Sequence, residues 1–288
     1  MFTVGIFADT RNWVKCLIFV LVSVFMVCMA AVLVYIAAGM LGVDVLSMDR
    51  WWLEISQFVQ SVTIFLLSAW VYALLVSRSP ISFLSAGRSA GTRQYLAAVV
   101  AVLSVQPLIN LLSYYNSLIP LPSGWEEWIM AMEEEAVSLT NLFMEGSGVA
   151  DFAVTLLLMA VVPAITEEFF FRGALLSLCR NVFKNTHLAV WIGAAIFSFI
   201  HFQFTGFLPR MFLGAIFGYM VVWSGSVWLP VVAHFVNNAL AVAAYRMLGA
   251  EAANADLQDL VSTGGYYATL VCFTLVFVVC LWQLRRRS

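Results

Sequence analysis

Six residues of this chain are of types, and at spacings, that can do chemistry within an otherwise apolar sequence: Glu167, Glu168, Arg172, His201, His234 and Asn238. A carboxylate or guanidinium at hydrocarbon depth costs roughly 2.5–3.5 kcal/mol on insertion scales, so such groups face a partner or a wet cavity. On a helix Glu168 and Arg172 are four apart and share a face, while Glu167 is turned about 100° away. Glu168 therefore has a partner on its own helix, and Glu167 has none. Phe197 and His201, then His234 and Asn238, repeat the four-residue spacing on two further apolar stretches. A carboxylate beside an imidazole can act as a general base toward water, and a second imidazole with an amide can donate hydrogen bonds to a developing oxyanion. Together they outline a peptidase with no Ser or Cys nucleophile.

The elements that must position these residues are membrane spans. With 63% hydrophobic and 10% charged residues, the chain lies far from the roughly 25% charge of soluble domains. The expected fold is all-α, a polytopic transmembrane bundle of about eight spans with an acidic amphipathic outer-loop helix. The runs cover about 13–38, 51–76, 95–112, 152–179, 188–204, 207–223, 227–245 and 266–284, read as a single membrane domain over 1–288 with a motif-bearing core over 152–245. The first run is too long for a signal h-region and reads as a retained span. On this reading Glu167, His201 and His234 all lie well inside the hydrocarbon layer.

Eight spans put Arg11, Lys15, Arg78, Arg88, Arg93, Arg180, Lys184 and the triplet Arg285-Arg286-Arg287 on one side, which predicts cytoplasmic termini. The other loops carry Asp44, Asp49, the run of acids from Glu126 to Glu145, Glu251, Asp256 and Asp259. Arg50, Arg210 and Arg246 are the exceptions, expected to snorkel to the outer headgroups. In the outer connection, Ser123 and Glu126 are spaced as a capping box, which predicts a helix from Ser123 lying on the leaflet or acting as a lid. The five cysteines show no CxxC spacing and read as small hydrophobes. No basic patch suggests nucleic acid.

The ordered set EExxxR (Glu167, Glu168, Arg172), FxxxH (Phe197, His201) and HxxxN (His234, Asn238) resembles the CPBP, or Abi, family of intramembrane proteases, over about 163–241. That family includes the Ras-converting CAAX prenyl endopeptidases and bacterial proteins linked to bacteriocin processing or self-immunity. The resemblance implies that Glu167 and His201 activate water, that Glu168 and Arg172 pair and shape the site, and that His234 and Asn238 stabilise the oxyanion. It implies an endopeptidase in a bacterial cytoplasmic membrane that cuts a membrane-associated or lipid-modified substrate, near the substrate's cytoplasmic end, without a cofactor. If zinc were used, Glu167, His201 and His234 would be its ligands, although HExxH is absent.

Simpler readings stand beside these. Glu168–Arg172 can be a structural ion pair, and His234 and Asn238 can be hydrogen-bonding glue between helices. Asn237 reads as packing or cavity lining, His187 as a solvated turn residue, and Phe169-Phe170-Phe171 as lipid-facing or core surface or a slot for a lipidated substrate. The alternative functions are a non-catalytic scaffold or bacteriocin-immunity protein, and a transporter. Substrate identity and oligomeric state are not encoded in any motif.

Overall fold

Apolar runs of this length fold as helices because in hydrocarbon each backbone N–H and C=O must find its partner within the segment. The structure, a computed structural model, describes residues 4–146, 148–253 and 264–286, and these hold helices and no strand. The long helices are α1 (Asn12–Leu41), α2 (Arg50–Val76), α3 (Thr92–Ser117), α4 (Glu126–Met144), α5 (Val149–Phe183), α6 (Thr186–Phe199), α7 (Phe207–Ser224), α8 (Trp228–Gly249) and α9 (Gly264–Arg286). Seven of them are long and apolar enough to cross a membrane, all but α4 and α6. Asp256, Asp259 and Arg287, with the side chain of Glu251, lie outside the described residues.

The fifth expected span is the main departure. α6 has 14 residues, a rise of about 21 Å at 1.5 Å per residue, against a hydrocarbon core of about 30 Å. The chain turns over residues 200–206 before entering α7. Irregular backbone beside hydrocarbon is tolerated only where protein or a cavity covers it. The buried Asn116 of α3 supplies this cover: its Nδ2 donates to the Phe204 carbonyl and its Oδ1 accepts from the Leu208 N–H, both at 2.7 Å. Ser198 Oγ donates across the turn to the Phe207 carbonyl at 2.7 Å.

Small residues bring α6 and α7 together. A Cβ at Gly218 would lie 3.0 Å from Val190, and one at Gly214 would lie 3.2 Å from Phe197, the small-xxx-small device of membrane helices. α7 also joins the two cores: Ala215 and Val221 pack among α1, α2, α5 and α6, while Ile216, Phe217 and Met220 pack among α3, α8 and α9. On α1 and α9, large apolar side chains such as Val20, Phe25, Val271 and Leu275 stay exposed, which suits a lipid-facing surface.

Hydrogen bonds at the helix ends sort the loops onto two faces. On one, Ser226 Oγ donates to the Arg88 carbonyl, Trp228 Nε1 to that of Ala86, Ser177 Oγ to that of Phe83 and Asn12 Nδ2 to that of Asn181. On the other, Glu133 meets Thr205, and Tyr245 donates to Asn141. The first is the basic face and the second the acidic one.

Several local expectations change. α4 begins at Glu126, with no side-chain cap, because Gly124 at φ 84° breaks the helix after Ser123. Arg50 and Arg246, expected to snorkel, both donate to carbonyls of the loop after α4, Arg50 to Glu145 and Arg246 to Gly146, and Arg50 also pairs with Glu54 at 2.8 Å. His187 is exposed, as expected, but lies in the first turn of α6, where its Nδ1 is 2.7 Å from Tyr219 Oη and ties α6 to α7. All five cysteines are free thiols.

Candidate active site

α5 carries the acids, and its irregularities set their direction. Pro163 has no N–H to offer the Met159 carbonyl four residues back, and the helix widens into a π turn over Leu157–Val161 just before it. Asn238 of α8 donates its Nδ2 to that carbonyl at 3.0 Å. A second π turn, Phe169–Leu175, follows Glu168 directly, and every residue of it is buried. Phe170 packs on Phe19 and Phe65, Phe171 on Phe197, and Phe169 on Trp228. The three phenylalanines are thus core, not lipid surface or a slot for a lipidated substrate.

Glu168 is completely buried at 0% exposure. Arg172 Nη1 and His234 Nδ1 both reach its Oε1 at 2.8 Å. Arg172 also donates through Nη2 to the Gly214 carbonyl at 3.2 Å and lies 4.3 Å from the centroid of the Phe197 ring. His234 stacks on Phe217 with centroids 5.4 Å apart. Because a carboxylate only accepts, the His234 proton sits on Nδ1, and Nε2 is the ring nitrogen left over.

In front of this buried network lies a cavity of about 400 Å³, lined among others by Glu167, His201, His234, Asn237, Asn238 and Arg210. It is roomy enough for several waters at about 30 Å³ each. Among the described residues no protein group hydrogen-bonds to Glu167 or forms an ion pair with it. His201 is not on a span: it lies in the turn beyond Phe199, with its Nδ1 2.7 Å from the Phe197 carbonyl. That carbonyl only accepts, so Nδ1 carries the proton and Nε2 is free as a base. Glu167 and His201 line one cavity without touching, a spacing that leaves room for water between them.

The sequence set thus splits into two layers. Glu167, His201, His234 and Asn238 line the cavity, while Glu168 and Arg172 stand behind it and fix His234. Arg210, expected at the headgroups, lines the cavity as well, where its guanidinium bonds Gln203 and packs over Gly206, whose Cβ would lie 3.1 Å from it. Asn237 joins a chain in which Gln106 donates to Asn237 and Asn237 to Asn238, both at 3.2 Å. No periodicity marks Arg210 or Gln106, since each depends on a turn or a helix crossing. Among the described residues no three His, Cys, Asp or Glu side chains, Glu167, His201 and His234 included, lie close enough together to hold a metal ion.

Residues 149–240, from the start of α5 into α8, match the family model described as type II CAAX prenyl endopeptidase Rce1-like. This segment is an Rce1-like domain. All six site residues fall within it. The chain is also 27% identical over 89 residues to the uncharacterized protein YpbD of Bacillus subtilis (strain 168), a match covering 30% of this chain and 42% of that relative. The chain thus spans less than half the length of the curated relative it matches. No solved structure matches it significantly.

Proposed function

We propose that the chain is an intramembrane endopeptidase in which Glu167 and His201 activate a water held between them. The observation that carries this reading is the unpartnered Glu167 carboxylate facing the same cavity as a His201 ring whose Nδ1 is already committed to Phe197. Water attacks the scissile carbonyl carbon and its proton passes to Glu167, with Nε2 of His201 accepting the second hydrogen bond. The oxyanion is held by the remaining Nδ2 hydrogen of Asn238 and by His234, which donates through Nε2 when doubly protonated, its Nδ1–H on Glu168. The C–N bond then breaks as Glu167 returns the proton to the leaving amine. No step runs through a metal.

A helix-locking scaffold explains the bonds of Asn238 and His234 but not a carboxylate left without a protein partner at membrane depth, where its cost needs a purpose. The substrate is a membrane-associated peptide or protein. The cavity lies in the half of the bundle nearer the acidic face, beside the first turn of α7 and the last turns of α3. With the basic face and both termini in the cytoplasm, this placement of the cavity favours a cut in the outer half of the membrane over one near the substrate's cytoplasmic end.

The test uses two internally quenched peptides, one with a farnesylated CAAX tail and one with an unmodified membrane-spanning sequence, in proteoliposomes with and without EDTA. Cleavage of either by wild type, unaffected by EDTA and abolished by Glu167→Gln or His201→Ala, is the expected result. Equal cleavage by wild type and Glu167→Gln refutes the mechanism.

A further inference from the structure

The turn that carries His201 is also gripped from outside the Rce1-like segment. Glu133, on the acidic helix α4, accepts the Thr205 backbone N–H on Oε1 at 2.8 Å and the Thr205 hydroxyl on Oε2 at 3.0 Å. Trp128, on the same helix, packs edge-on against Phe202 and Phe204, each with centroids 6.4 Å away. The neighbouring Glu134 and Glu135 are exposed, while Glu133 is half-buried. Between His201 and Thr205 the backbone passes through Phe202 at φ +51°, a left-handed conformation that a bulky residue keeps only when its surroundings hold it. Arg210 holds the same turn from the cavity side through Gln203.

We infer that Glu133 is a positioning residue for the proposed hydrolysis: by clamping Thr205 it fixes the turn that aims His201 at the water beside Glu167. This rests on the functional reading above. It gives the acidic outer helix a role in catalysis without contact with substrate. α4 does not line the cavity, so its effect falls on the placement of His201 and hence on turnover rather than on substrate affinity.

The experiment compares kcat and KM on whichever quenched peptide wild type cleaves, per mole of monodisperse protein, for Glu133→Ala, Glu133→Gln, Thr205→Val, the Glu133→Ala/Thr205→Val double variant and the exposed control Glu134→Ala. Glu133→Ala should lower kcat about tenfold with KM changed less than about twofold, the scale of one lost charge-assisted hydrogen bond on a positioned group. Glu133→Gln keeps one acceptor and should fall about threefold; the double variant should be no slower than Glu133→Ala, and Glu134→Ala should match wild type. A merely structural role would reduce the yield of monodisperse protein but leave kcat per folded molecule intact, with no graded rescue by Gln. Unchanged kcat in Glu133→Ala alongside a dead Glu167→Gln overturns the positioning role alone. Cleavage that survives Glu167→Gln overturns the functional reading and this one with it.

Discussion

Removing the Glu168 side chain should be among the most destabilising single changes in this bundle. Glu168 and Arg172 are 0% and 3% exposed, and both Arg172 and His234 bond to the same oxygen, Oε1. Glu168 Oε2 is buried with no partner, so those two donors supply all the local compensation of the carboxylate. Hydrogen bonds between membrane helices average only about 0.6 kcal/mol, so a hydrogen-bond account of Glu168→Leu predicts a loss of about 1 kcal/mol. The stranded guanidinium predicts far more, about 3–5 kcal/mol, because a buried charge loses its counter-charge. Arg172→Met strands Glu168, with His234 still beside it, and should cost about 2–4 kcal/mol. The double variant leaves neither charge; it loses the contact with the Phe197 ring and the bond to the Gly214 carbonyl and leaves His234 Nδ1–H unpaired, and should cost about 3 kcal/mol in all. The double-mutant cycle then shows a coupling of about 2 kcal/mol or more. Equilibrium unfolding in mixed micelles, followed by tryptophan fluorescence, measures each corner. If Glu168→Leu costs under about 1 kcal/mol, or the two changes simply add, the charge-compensation argument is wrong.

Other perturbations test the rest of the arrangement. Gly218→Leu should separate α6 from α7, since its Cβ alone would lie 3.0 Å from Val190; a loss of about 1–3 kcal/mol is expected in the same unfolding assay. Asn238→Ala removes the side-chain donor to the Met159 carbonyl and should cost about 1–2 kcal/mol; Asn238→Asp should cost more, because it sets an oxygen against that carbonyl. For orientation, with the five native cysteines replaced, Glu134→Cys should react with a membrane-impermeant maleimide added outside intact cells and Lys184→Cys only after lysis; the reverse pattern overturns the assignment of the basic face to the cytoplasm.

Much of this architecture is written in composition and spacing. Apolar run length located the long helices to within a few residues, and the four-residue interval was enough to join Glu168 to Arg172. What the chain does not announce is where regular geometry stops. Pro163 is visible in the sequence, but nothing in a hydropathy pattern says that α5 answers it with a π turn and a carbonyl that accepts from Asn238. The six-residue shortfall of α6 against a 20-residue span was hidden because Ile200, Phe202 and Phe204 continue the apolar run after the helix has ended at Phe199. For the same reason Arg210 read as a headgroup anchor: its entry into the cavity depends on the turn between α6 and α7 and on the missing side chain of Gly206.

Glu167 shows the same division between what spacing encodes and what packing adds. Helical periodicity alone leaves it unpaired, and its obvious partner is the histidine on the next apolar stretch. In the folded chain that histidine, in the turn after α6, spends Nδ1 on the Phe197 carbonyl and lines one cavity with the carboxylate. A direct ion pair would have neutralised both groups and excluded water. Because α6 ends early and its turn is held by Asn116 and Glu133, Glu167 and His201 face one space instead of each other, the arrangement that the proposed water activation needs. Lengthening α6 by one turn should therefore abolish the gap: three residues inserted after Ile196 would carry His201 about 4.5 Å further along the axis and out of register with Glu167. Loss of cleavage with retained folding in that insertion variant, set against full activity when the same three residues are placed between α8 and α9, is the outcome this geometry requires.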